Sequence, residues 1–123
     1  MEYKNVSEKI ISCAFRVYNN LGFGFLETVY ENCMQIELTK AGLLCEKQKK
    51  IRVFYDNKVV GDFTADLIID ETIIVELKSV RKIAKAHEVQ LVNYLVATGK
   101  PVGLLINFAE NNVEIRRKVR KLH

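Results

Sequence analysis

Asp66-Leu67-Ile68-Ile69-Asp70-Glu71-Thr72-Ile73-Ile74-Val75-Glu76-Leu77-Lys78 is the stretch that decides the fold. Two apolar, β-branched runs flank three polar residues, which predicts two antiparallel strands joined by a short turn. Side chains alternate across a strand. Asp66 is therefore expected to share a face with Ile68 and Asp70, while Ala65, Leu67 and Ile69 face the other way. On the second strand Glu76 and Lys78 share a face, with Val75 and Leu77 opposite. The length of the turn sets the register. An odd turn places Ile68 against Ile74 and Asp66 opposite Glu76, so that Asp66, Glu76 and Lys78 converge. An even turn moves the pair one step out.

Upstream, Ile51 to Tyr55 reads as a strand, Asp56-Asn57-Lys58 as a turn, and Val59 to Ile69 as the next strand, with Gly61 placed for a bulge. Before them come two helices. In the first, about Ser7 to Asn20, Ile10, Ile11, Ala14, Phe15, Val17 and Tyr18 recur at helical spacing, and Ser7 is the expected N-cap. Asn19 to Gly24 interrupts the pattern. The second helix runs from about Leu26 to Ala41, with Leu26, Val29, Cys33 and Ile36 as its expected inner face and Gly42 at its end. Downstream, a helix from about Lys82 to Thr98 stops at Gly99-Lys100-Pro101. Val102 to Phe108 is a continuous apolar run, as expected of a strand buried on both faces and parallel to its neighbour. Val113 to about Val119 is a last strand. The order ααβββαββ describes one α/β domain over residues 1–123, a mixed sheet flanked by helices.

The composition is ordinary for a globular domain: 123 residues, 49% hydrophobic and 28% charged. No apolar run reaches the ~20 residues of a membrane span, and the N-terminus has no signal-peptide core. A cytoplasmic protein without membrane partners is the expectation. Cys13, Cys33 and Cys45 are far apart and form no Cys-x-x-Cys, which argues against zinc clusters and disulfides. Lys and Arg number 19 against 15 Asp and Glu. The whole excess of +4 falls within Asn112 to His123, which carries Arg116, Arg117, Lys118, Arg120 and Lys121 against Glu114 alone. Such a tail suits either a polyanion partner or the edge of a sheet, where basic residues discourage pairing between molecules.

Two carboxylates side by side repel unless a cation lies between them. Oxygen ligands with open positions suit Mg²⁺ or Mn²⁺. A nearby lysine can orient or deprotonate a water, or neutralise a phosphate. Asp66 with Glu76-x-Lys78 is thus a coherent set for metal-assisted phosphodiester hydrolysis. An exposed strand's surface charges are the plainer reading of the same residues. Against it, Ile73 to Lys78 is a buried type of strand. On the next helix His87, Gln90 and Tyr94 lie on one face, where Gln90 and Tyr94 can hydrogen-bond phosphate oxygens or hold the lysine. A capping histidine is the plainer reading of His87. In the second helix Glu27 and Tyr30 are three apart, and Glu27 sits where the helix dipole favours an acid.

Taken together, these segments resemble the GxxExxY proteins, small prokaryotic members of the PD-(D/E)XK nuclease superfamily. Gly24-Phe25-Leu26-Glu27-Thr28-Val29-Tyr30 matches the family signature. Asp66 with Glu76-Leu77-Lys78 matches the superfamily core, although Ala65 stands where its name has Pro. Gln90-Leu91-Val92-Asn93-Tyr94 matches the Gln-x-x-x-Tyr element of its RecB-like branch, and Gly103 to Phe108 is similar to its final core strand. The resemblance implies a restriction-endonuclease-like fold and a Mg²⁺ or Mn²⁺ site. Asp66 and Glu76 would ligate the ion, helped by the Leu77 carbonyl, with Glu27 binding it directly or through water. Lys78 would activate the attacking water, and Gln90 and Tyr94 would support the site and touch the nucleic-acid backbone. Tyr30, Lys82, Lys85 and His87 complete the expected nucleic-acid contacts, within a basic surround of Lys47, Lys49, Lys50, Arg52 and Arg81.

The function expected from these residues is a divalent-metal-dependent nuclease acting on DNA. Two alternatives stand beside it. One is a nucleic-acid-binding or complex-forming module on a nuclease-derived fold. The other is an interaction or dimerisation unit whose acidic set is structural. Cutting both strands of a duplex needs two sites, which makes a homodimer an expectation of geometry.

Overall fold

The computed structural model describes residues 3–120. The chain runs α1 (Lys4–Leu21), α2 (Glu27–Lys40), β1 (Cys45–Tyr55), β2 (Lys58–Ile69), β3 (Ile73–Lys78), α3 (Lys85–Thr98), β4 (Val102–Phe108) and β5 (Val113–Val119). The five strands form one sheet in the order β1-β2-β3-β4-β5. Only β3 and β4 are parallel, joined through α3; the other pairs are antiparallel. This is the mixed sheet and the ααβββαββ order expected from the sequence.

The sheet is covered on both faces. On one, Ile10, Cys13, Ala14 and Val17 of α1 and Tyr30, Met34 and Leu38 of α2 pack on Leu67, Val75, Leu77, Leu104 and Ile106. On the other, Leu91, Tyr94 and Leu95 of α3 pack on Ile68, Ile74 and Leu105. All seven residues of β4 are buried, as a central parallel strand requires. At Gly103 α3 comes close enough that a Cβ would lie 2.7 Å from a Leu91 methyl.

The turn between β2 and β3 has the odd length. Ile69 pairs with Ile73 and Ile68 with Ile74, leaving Asp70, Glu71 and Thr72 between them. Asp70 and Glu71 take φ of 50° and 61°, and the Asp70 carboxylate accepts the Leu44 N–H at 2.8 Å. The β1–β2 turn is the two-residue Asp56-Asn57, both at positive φ, the geometry that matches strand twist.

Several boundaries and faces differ from expectation. Helix α1 begins at Lys4, so Ser7 is not its cap: it lies buried in the first turn, and its hydroxyl has no partner among the described residues. The buried face of α2 is Tyr30, Glu31, Met34 and Leu38, while Leu26 and Ile36 are exposed. Strand β1 starts at Cys45 rather than Ile51, because its polar first half is held by pairing with β2, not by burial. The extra residue of the β1–β2 bulge is Val60, beside Gly61. Finally, Ala65 packs with Ile68 and not with Leu67, so alternation breaks at Asp66.

Candidate active site

That break builds the site. The β2–β3 ladder holds Ile69, Ile68 and Leu67 against Ile73, Ile74 and Val75. One step further the strands part, and the facing carboxylates take up the freed backbone donors. Glu76 Oε1 accepts the Asp66 N–H at 3.0 Å, and Asp66 Oδ2 accepts the Leu77 N–H at 2.9 Å. On the other side of Asp66, β1 is irregular. Gln48 has φ +51° and is skipped between the pairs Lys47–Leu67 and Lys49–Ala65. Its side-chain amide donates to Glu31 Oε2 at 2.9 Å and approaches Asp66 Oδ1 at 3.5 Å. Strand splay and the irregular backbone at Gln48 together turn the two acids toward one another at the C-terminal end of β3.

The electrostatics follow from that enclosure. Glu76 is 5% exposed. Burial pushes its pKa from 4.5 up to about 8, and the neighbouring Asp66 charge adds to the rise. The Asp66 N–H bond and nearby Lys78 oppose it. Glu31 is raised as well, chiefly by burial, with Gln48 opposing and Asp66 reinforcing the shift. The Tyr94 phenol is raised by burial and then by Glu76 and Asp66, so it stays protonated and available as a donor facing the carboxylates.

Asp66, Glu76, Lys78 and Tyr94 are therefore brought together. Lys78 is half-buried at the end of β3, in register with Asn107 of β4. Tyr94 is 5% exposed, its ring 4.9 Å from that of Phe63. Gln90 lies one turn earlier on α3 and is exposed. Glu27 is exposed in the first turn of α2, lining a cleft with Ser79, the residue after Lys78. His87 accepts the Ala84 N–H through Nδ1 at 3.1 Å and so caps α3. Lys82 is exposed on the connection before α3, and Lys85 lines a separate groove with Glu88, Val89 and Lys118. Tyr30 requires a correction. It is fully buried, stacked on Phe108 at 4.2 Å, and its hydroxyl donates to the Gly22 carbonyl. It has no surface to offer a nucleic acid.

Three contributors were not found from sequence. Glu31 and Gln48 sit beside Asp66, as described. Asn107, fully buried, clamps the loop after Lys78: its amide accepts the Val80 N–H at 2.9 Å and donates to the Val80 carbonyl at 2.8 Å. Glu31 falls one turn beyond Glu27 and directly after Tyr30, a spacing that could have drawn attention to it. Burial raises Cys13 and pushes Cys45 up to about 11, so both stay protonated at neutral pH.

The donor set fits a hard divalent cation. Two carboxylates face each other, one of them nearly water-free, its ionisation opposed by burial and by its neighbour. Among the described residues no three His, Cys, Asp or Glu side chains gather at metal-ligand spacing. A hard divalent ion held by one or two carboxylates, with water and phosphate in its other positions, would need no third acid.

A five-stranded mixed sheet with helices on both faces, and acids meeting where β2 and β3 part, defines a restriction-endonuclease-like domain. The chain belongs to the PD-(D/E)XK nuclease superfamily, which it matches over residues 4–119. Two solved structures share the fold. One is the crystal structure of SSO0001, at TM-score 0.63 and 17% identity, covering 99% of this chain. This chain spans 62% of the length of that one. The other is an alkaline exonuclease (LHK-Exo) from Laribacter hongkongensis, at TM-score 0.53 and 10% identity, covering 94% of this chain and 82% of that one. No curated protein matches the chain. Superfamily membership supports a nuclease type of function. No helix among the described residues is long and apolar enough to cross a membrane.

Proposed function

We propose that the protein is a divalent-metal-dependent nuclease that hydrolyses phosphodiester bonds in DNA. The observation that carries this reading is the mutual arrangement of Asp66 and Glu76, each holding the other's strand by a backbone N–H, with Lys78 on the same strand. Asp66 and Glu76 are the residues that would hold Mg²⁺ or Mn²⁺, with the Leu77 carbonyl and Glu27 as further ligands, Glu27 directly or through water. When bound, the ion supplies charge stabilisation for the phosphate and a lowered pKa for water.

The remaining work falls to side chains. Lys78 orients the attacking water and neutralises charge on the scissile phosphate. The Leu77 N–H holds the Asp66 rotamer, and Gln48, anchored by Glu31, supports it from the other oxygen. Tyr94 and Gln90 offer hydrogen bonds to phosphate oxygens from α3. Asn107 keeps the end of β3 from drifting by its two bonds to Val80. Preorganised groups of this kind carry much of catalysis because they need not reorganise as charge develops.

The test is cleavage of plasmid, linear duplex and single-stranded DNA, with RNA alongside, in Mg²⁺, Mn²⁺ or EDTA. Cleavage is expected only with metal, and Lys78→Ala is expected to lower the rate ~100-fold or more. Activity that survives in both Lys78→Ala and Asp66→Ala comes from a contaminant and removes the assignment. Salt-sensitive DNA binding without metal binding would instead support the non-cleaving binding module.

A further inference from the structure

Beside the catalytic strand lies a surface that Asp66 and Glu76 do not use, reaching as far as Glu27. The loop from Gly22 to Leu26 holds Phe23, Phe25 and Leu26 at 41, 44 and 77% exposure. With Glu27, Thr28 and Ser79 they line a cleft of about 610 Å³, within the range of small-ligand sites. We propose that this loop is a stacking subsite for an unpaired nucleobase of the strand being cut. The proposal rests on the nuclease reading and adds to it a substrate class, single-stranded or frayed DNA.

The loop is built to stay outward. Gly22 and Gly24 take φ of 71° and 111°, where a side chain would be strained. The Tyr30 hydroxyl donates to the Gly22 carbonyl and receives the Phe25 N–H at 3.4 Å. The Phe25 carbonyl accepts the Ser79 hydroxyl at 2.8 Å. Phe25 meets the Tyr30 ring edge-on at 6.2 Å. Tyr30, itself immobilised against Phe108, thus pins the loop to the core, and Ser79 pins it to the end of β3. Three large apolar side chains are held partly in water on a loop bonded to Ser79, the residue after Lys78.

Charge decides the occupant. Among the described residues no Lys or Arg lines the cleft, and the one ionisable side chain there is the Glu27 carboxylate. A phosphate would be repelled there, whereas the neutral face of a base would not. Bases stack on aromatic side chains whatever their identity. In an intact duplex both faces of a base are already stacked, and extracting one costs a few kcal/mol. An unpaired base avoids that cost, so strands with open or frayed ends are favoured.

The test uses the full chain in EDTA. One probe is a single-stranded oligonucleotide carrying 2-aminopurine; the other is a blunt duplex with the same base paired. Wild type is expected to change the 2-aminopurine fluorescence of the single strand and not of the duplex. Phe23→Ala/Leu26→Ala, two exposed positions, is expected to lose that response and to weaken single-strand binding at least ~5-fold. Phe23→Trp should keep the response. Equal binding by wild type and the double variant overturns the subsite, as does equal weakening toward single strand and duplex. Cleavage with Mg²⁺ is scored separately. A chain that never cleaves but keeps the Phe23-dependent response retains the stacking subsite and loses the nuclease reading. A chain that cleaves single strand and duplex alike, unaffected by the double variant, does the reverse.

Discussion

Replacing Glu76 by Gln should stabilise the metal-free protein, increasingly as pH rises from about 4.5 to about 8. Glu76 is buried beside Asp66, which raises its pKa from 4.5 to about 8. The folded protein therefore holds this proton more tightly than the unfolded chain does. Its contribution to stability is complete below about pH 4.5 and is lost as pH rises through about 8. At ~1.36 kcal/mol per pH unit, the rise sets a ceiling of about 5 kcal/mol. Water entry and side-chain relaxation lower what is realised, so a gap of about 2–3 kcal/mol is expected. Gln keeps an oxygen for the Asp66 N–H and removes the charge.

The assay is thermal unfolding of wild type and Glu76→Gln in EDTA from pH 5 to pH 9. At pH 5 the two should melt within about 2 °C of each other. At pH 9 the variant should melt roughly 6–15 °C higher. Saturating Mg²⁺ should reverse the order, because the ion binds the folded wild type and stabilises it by mass action, whereas the variant has lost a ligand. Parallel melting curves across this pH range in EDTA would refute the reasoning, since they would mean Glu76 is not an enclosed carboxylate facing Asp66.

Other outcomes follow from packing. Gly103→Ala would drive a methyl to within 2.7 Å of Leu91, and urea unfolding should show a loss of about 1–3 kcal/mol; no loss would mean that α3 does not approach β4 this closely. Tyr30→Phe should cost about 1–2 kcal/mol by leaving the Gly22 carbonyl without its buried donor. It should also speed proteolysis within residues 22–26, and an unchanged cleavage rate there would contradict the pinning of that loop.

The register was legible in the sequence because it depends on one parity. Three turn residues between Ile69 and Ile73 are enough to set Asp66 against Glu76. The buried character of β3 and β4 was likewise plain in their unbroken apolar runs. What the sequence concealed lies where local pattern and tertiary pairing disagree. Helix α2 carries apolar residues around much of its circumference, and Leu26 and Ile36 suggested a face that the structure exposes. Tyr30, Met34 and Leu38, four apart, were the stronger stripe. Nothing in Glu46-Lys47-Gln48-Lys49-Lys50 signals a strand, still less the positive φ at Gln48 that sets its amide beside Asp66. The basic tail reads correctly in part: Arg116 and Arg117 are exposed on the edge strand β5, while Lys118 bonds Glu88 of α3 at 2.8 Å. Lys121 lies outside the described residues.

The most direct test of the central claim is a crystal structure of the protein grown with Mn²⁺, read by the ion's anomalous scattering. The account predicts one strong peak between the Asp66 and Glu76 carboxylates, absent from crystals of Asp66→Asn. A peak elsewhere, with Glu76 still bonded to the Asp66 N–H and Asp66 to the Leu77 N–H, would contradict it.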